Sequence, residues 1–115
     1  MTLKIYHNPR CSKSRQTLQL IEALGADVDV ALYLKDPLSA SDIKELLKKL
    51  DFSDARDLMR KGEAIYKELN LKSESDQNAL MEAMAAHPKL IERPIVVKGK
   101  YAILGRPPEN VAKFL

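Results

Sequence analysis

Apolar and polar residues alternate over Leu3-Lys4-Ile5-Tyr6-His7, a period of two that predicts a short strand, and Asn8-Pro9 stops it. The period then changes. Thr17, Leu18, Ile21 and Leu24 recur at helical spacing, predicting a helix over 11–24 with these residues inward, and Gly25 is suited to end it in a left-handed conformation. Val28, Val30 and Leu32 alternate again, a second strand closed by Asp36-Pro37. A strand–helix–strand unit normally makes two parallel strands with a right-handed crossover.

The middle of the chain reads as helical. Ser39 with Asp42 three residues on resembles a capping box, and Ile43, Leu46, Leu47 and Leu50 follow at i, i+3, i+4 and i+7. Short helices are predicted around 54–59 and 63–69. A longer one is predicted over 75–86, with Leu80, Ala83 and Met84 inward and His87-Pro88 at its end. Strand chemistry returns in Pro94-Ile95-Val96-Val97, a tight turn Lys98-Gly99-Lys100, and Tyr101-Ala102-Ile103-Leu104, which together read as a hairpin. Gly105-Arg106-Pro107-Pro108-Glu109 opens a last helix that buries Val111 and Phe114 or Leu115. The order is β-α-β, a helical insert over about 39–88, then β-β-α. That is an α/β chain of thioredoxin-like topology, expected to form a four-stranded mixed sheet. No repeat or Pro/Gly-rich linker divides it, so one domain is expected over 1–115.

Composition narrows the function classes. A chain of 115 residues, 45% apolar and 30% charged, suffices for one hydrophobic core. Nineteen basic against 16 acidic residues leave a net charge of +3, too small a surplus to argue for nucleic acid but compatible with a local anion site. No apolar run reaches membrane-spanning length and MTLKIYHNP does not read as a signal peptide, so a cytoplasmic location without membrane attachment is expected. Cys11 is the one cysteine, so any disulfide must form with another molecule.

Cys11 lies in HNPRCSKSR, where the first strand ends and the first helix begins. A helix N-terminus offers unsatisfied N–H groups and partial positive charge, which favour a thiolate and can also hold an anion before it. Arg10, Lys13 and Arg15 add positive charge, so the thiol pKa should fall below its ordinary value. Most free cysteines are small buried hydrophobes, but such residues do not usually sit among three bases after a turn proline. Each of those bases fits a solvated helix start as well as a catalytic role. Arg15, at i+4 from Cys11, stands on the same helix face. Ser14 could donate a hydrogen bond to the sulfur or an anion. His7 alone would more often be structural, though near Cys11 it could supply a charge that helps hold the thiolate. A dithiol oxidoreductase needs a second cysteine at position 14, which is Ser14. A cysteine phosphatase needs arginine at position 17, which is Thr17. A single reactive thiol remains, of the kind that completes a redox cycle only with an outside thiol. Three further arginines stand at structural punctuation: Arg60 in the insert, Arg93 before Pro94, and Arg106 in Gly105-Arg106-Pro107. In a thioredoxin-like fold Pro94 is expected to be cis and to face the first helix, which would bring Arg93 beside Cys11.

These segments together resemble the glutaredoxin-coupled arsenate reductase family. The likeness rests on His7-Asn8-Pro9 with Cys11, Ser14-Arg15 and Thr17-Leu18, then Asp57-Leu58-Met59-Arg60, Tyr66-Lys67-Glu68-Leu69-Asn70-Leu71, Glu92-Arg93-Pro94-Ile95-Val96 and Gly105-Arg106-Pro107-Pro108. It spans essentially the whole chain. The resemblance implies that Cys11 attacks arsenate to give a thioarsenate, that glutathione joins the arsenic as co-substrate, and that glutaredoxin takes the glutathione as arsenite leaves. It implies that Arg60, Arg93 and Arg106 bind the oxyanion, that His7 lies near the thiol with Ser14 and Arg15 in support, and that no metal or permanent cofactor is held. Arg10 stands where the best-known members have a small residue, and Ser12-Lys13 replaces Gly-Thr. Two other readings fit the fold: an RNA-polymerase-binding regulator, against which Ser14 argues because the switch cysteine is missing, and a glutathione-binding relative that reduces no oxyanion.

Overall fold

A computed structural model describes residues 2–114. In chain order the elements are β1 (Leu3–Tyr6), α1 (Ser12–Ala23), β2 (Val28–Ala31), α2 (Ala40–Leu50), α3 (Ala64–Glu68), α4 (Gln77–Ala86), β3 (Ile95–Lys98), β4 (Tyr101–Leu104) and α5 (Asn110–Phe114). Single 3₁₀ turns lie at Ala55–Leu58, Leu71–Ser73 and Pro88–Leu90. The chain forms two compact units: the residues up to Asp36 together with those from Arg93 onward, and Pro37–Glu92.

The first unit holds a four-stranded mixed sheet of order β2-β1-β3-β4. β1 runs parallel to β2, with Leu3 opposite Val28, and antiparallel to β3, with Ile5 opposite Val96. β3 and β4 form the expected hairpin, Val97 opposite Ala102, and its turn uses Gly99 at φ +61°. The period of two places Leu3 and Ile5 on one face of β1. They join Val96 of β3, Ile21 of α1 and Val111 of α5 in one core, with Leu18, Ala26, Val28, Ile103 and Phe114 packed at its margin. Full burial of each large apolar side chain stabilises the unit by roughly 1.5–3 kcal/mol. Leu115 lies outside the described residues.

Helix α1 stops as the sequence predicts. Gly25 has φ +75°, its N–H donates to the Glu22 carbonyl, and the Ala26 N–H reaches the Ile21 carbonyl. This paired arrangement satisfies two terminal carbonyls. Leu24 is the exception to its expected inward position: it caps the helix and is 52% exposed. β2 ends at Ala31, short of Leu32, and as an edge strand it leaves Val30 half-exposed. The last helix begins at Asn110, later than expected, because Pro107-Pro108-Glu109 forms a turn ahead of it, with Asn110 N–H donating to the Pro107 carbonyl.

In the second unit the capping box closes from both sides: Asp42 N–H donates to Ser39 Oγ at 3.1 Å, and Ser39 N–H donates to Asp42 Oδ2 at 3.1 Å. Ile43, Leu46, Leu47 and Leu50 are all buried, and α2 packs on α4. α4 starts at Gln77 because Asp76 caps it, accepting from Asn78 N–H. Leu80 and Met84 point inward as expected, while Met81 is buried and Ala83 only half so.

Of the glycines, Gly105 makes the close approach. Its N–H donates to the Pro94 carbonyl at 2.9 Å, and its carbonyl accepts from Thr17 Oγ1 at 3.2 Å. A Cβ there would stand 2.8 Å from Thr17 Oγ1 and 2.9 Å from Pro94 Cγ. Neither neighbour can yield easily, since Thr17 is wholly buried and the Pro94 ring is buried and rigid. Gly105→Ala should therefore lower unfolding free energy by about 1–3 kcal/mol through overpacking. Urea titration should show a lower midpoint with an unchanged slope. An unaltered midpoint would mean that the joint relaxes without cost.

Candidate active site

The site is built by the turn between β1 and α1. His7 N–H donates to the Ala31 carbonyl at 2.8 Å, continuing the β1–β2 ladder by one residue. Asn8 then folds the chain back: its Oδ1 accepts from Arg10 N–H at 3.0 Å and its carbonyl from Cys11 N–H at 3.0 Å. Cys11 arrives as the N-cap of α1 in extended conformation, φ −94° and ψ 123°. An N-cap side chain ordinarily supplies oxygen to the first-turn N–H groups. Here the position carries sulfur, no side-chain hydrogen bond closes the cap, and no acidic residue stands in the first turn.

Cys11 is half-buried. That burial by itself pushes the thiol pKa up. The Ser14 N–H, the Arg93 charge, the Lys13 N–H and a hydrogen bond from the Arg93 side chain outweigh it, and the net shift is downward. Arg93 sits beside Cys11, across a cis peptide to Pro94. Its Nε is buried and has no hydrogen-bond partner among the described residues. A buried guanidinium N–H in that condition costs free energy unless something accepts from it.

Ser14 is fully buried, with its Oγ 2.6 Å from His7 Nδ1 and accepting from Asn8 N–H at 3.1 Å. The hydroxyl therefore ties the helix to the turn, and its tie to the sulfur runs through its backbone N–H. His7 is also buried. Burial first, and then the charge of Arg15, lower its pKa below the ordinary 6.5. Both effects disfavour the imidazolium form of His7. Its link to the site is positional, through Ser14.

The arginines divide. Arg15 turns back from α1 and donates from Nη1 to the Pro9 carbonyl at 2.8 Å, clamping the turn. Arg106 donates from Nη1 to the Arg93 carbonyl at 3.3 Å and so steadies the approach to β3. Arg60 belongs to the second unit. Its Nη1 donates to Glu63 Oε1 at 2.6 Å, its Nε is 4.0 Å from Glu92 Oε1, and its N–H donates to the Leu90 carbonyl. Two carboxylates thus orient that guanidinium, which the sequence reading did not anticipate. Sequence reasoning also treated Asn8 as a generic turn residue. Asn preceding a tight turn is itself a signal for the side-chain acceptor found here. Among the described residues no group of three or more His, Cys, Asp or Glu could hold a metal ion.

Titrating the native chain by thiolate ultraviolet absorbance, with Cys11→Ser as blank, should place the Cys11 transition below the ordinary thiol range. Arg93→Ala should move it upward, because a neighbouring charge and a hydrogen bond are lost together. An unshifted transition in both proteins would contradict this electrostatic account.

The chain matches the model of the ArsC family over residues 6–114. It is 52% identical over 114 residues to the Escherichia coli K12 protein YfgD, covering 98% of this chain and 96% of that one. An arsenate reductase of Haemophilus influenzae is 45% identical over 116 residues and fully covered on both sides. The solved structure of an arsenate reductase from Vibrio cholerae superposes with a TM-score of 0.96 at 50% identity, covering 100% of this chain and 98% of that one. That agreement extends to the thioredoxin-like arrangement of the four-stranded sheet, and with the family match it settles the lineage: this chain is a member of the ArsC family.

Proposed function

We propose that the chain is a cytoplasmic arsenate reductase that uses glutathione and glutaredoxin as reductants. The observation that carries this reading is the pairing of Cys11 with Arg93: a thiol with a lowered pKa beside a guanidinium whose buried Nε–H lacks an acceptor. A thiolate and an oxyanion repel each other in water. A positive charge shared between them removes that obstacle, and preorganised donors stabilise the charge that builds on the oxyanion.

In this reading the Cys11 thiolate attacks arsenic, an S–As bond forms, and one arsenate oxygen leaves as water. Glutathione displaces a second oxygen to join the arsenic. The glutaredoxin thiolate then attacks the glutathione sulfur, the S–As bond to glutathione breaks, and its electron pair stays on arsenic, reducing As(V) to As(III). Water releases arsenite and returns Cys11. One internal thiol cannot supply both electrons without an outside partner, which is why the lone cysteine favours this cycle over a dithiol one. Arg93 is the proposed ligand nearest the sulfur. Arg106 is proposed as a second and Arg60 as a third, on the strength of the motifs that carry them, with His7, Ser14 and Arg15 holding the turn in shape. No resident metal or cofactor takes part in this scheme.

The test is arsenate-dependent NADPH oxidation with glutathione, glutaredoxin and glutathione reductase present. Native protein should turn over, Cys11→Ser should fall to background, and Arg93→Ala should lose about a hundredfold in kcat/KM for arsenate. An inactive native protein would refute arsenate as substrate.

A further inference from the structure

Beside the turn that presents Cys11 lies a second feature that this scheme does not use. A cavity of about 390 Å³ is walled on one side by His7, Pro9 and Arg10, and on the other by Leu32, Leu34 and Lys35 from the segment after β2. Its size falls within the range of small-molecule sites, on the order of 300–1,000 Å³. Leu32 and Leu34 are 36% and 44% exposed, an uneconomical position for two leucines unless something covers them. No acidic side chain lines the cavity, and neither the Arg10 guanidinium nor the Lys35 ammonium has a hydrogen bond or ion pair among the described residues.

We propose that this cavity binds the small thiol co-substrate, and that Arg10 and Lys35 recognise its carboxylates while Leu32 and Leu34 cover its backbone. The inference deepens the reading above and rests on its requirement for an outside thiol. An arsenate ion by itself is a poor fit, since leucine walls offer a hydrated oxyanion nothing. A short acidic peptide carrying a thiol offers two carboxylates for the two cations and an apolar stem for the leucines, and the turn that lines the cavity continues from Arg10 into Cys11.

The experiment separates this site from the arsenate reaction. Oxidised glutathione is mixed with the native protein, and the Cys11 mixed disulfide is followed by intact mass. The Cys11 thiolate attacks one disulfide sulfur, a new S–S bond forms, the old one breaks, and one glutathione thiolate leaves with the electron pair. The neutral bis(2-hydroxyethyl) disulfide runs in parallel. Lys35→Glu should slow the glutathione reaction about tenfold, corresponding to loss of one charge-assisted contact, and leave the neutral disulfide reaction unchanged. Arg10→Gln should act in the same direction. Lys100→Glu, an equal change of net charge in the hairpin turn, should affect neither. Equal slowing with both disulfides would overturn the proposal by tracing the effect to the thiol. No change with either would overturn it directly. A chain without arsenate turnover would still show the selectivity, so failure of the substrate reading and failure of the cavity reading are distinguishable.

Discussion

A helix must find acceptors for the N–H groups of its first turn, and at the start of α1 the residue placed among them is a cysteine, with no side-chain hydrogen bond closing the cap. The constraint reaches in both directions. A thiolate satisfies the helix better than a thiol does, so the fold favours the reactive form. The helix in turn fixes where that thiolate points. Contrast α2, whose N-terminus is closed by the reciprocal Ser39–Asp42 box. That end is finished structure, with its donors spent. The α1 terminus keeps its donors for chemistry, and the lack of any acid in its first turn prevents competition for them.

Most of the surrounding architecture holds that one arrangement in place. Asn8 bends the chain, Arg15 clamps the bend through Pro9, and the buried Ser14–His7 pair links the bend to the helix. On the far side, Gly105 lets the chain leaving β4 pass close to Thr17 and Pro94, and the residue before Pro94 lies beside the sulfur. Arg93 is then the charge that counts at the thiol. The bases adjacent in sequence have other tasks: Arg15 is structural, and Arg10 faces a cavity.

Much of the fold was legible because its signals are local. The alternation in Leu3–Tyr6, the spacing of Ile43, Leu46, Leu47 and Leu50, and Gly25 after α1 each carry their own physical cause. What the sequence misplaced depends on cover supplied from elsewhere. Leu24 and Leu32 continue an apolar period but fall just past the ends of their elements, where no neighbour buries them. At the site, the position and electronics of Cys11 followed from the strand–helix boundary. The neutral tendency of His7 did not, since it depends on burial and on Arg15 folding back toward the turn. The carboxylates on Arg60 were equally hidden, because Glu92 reaches it from far along the chain.

The central claim is that the thiolate and an oxyanion share one cationic site. Because Cys11 is the one cysteine, iodoacetamide reports on it alone. Alkylation should be measured at a fixed pH, with the thiol ionised, against rising arsenate at constant ionic strength. The account predicts saturable protection in the native chain and its loss in Arg93→Ala. Alkylation indifferent to arsenate, or protection that survives removal of Arg93, would contradict it.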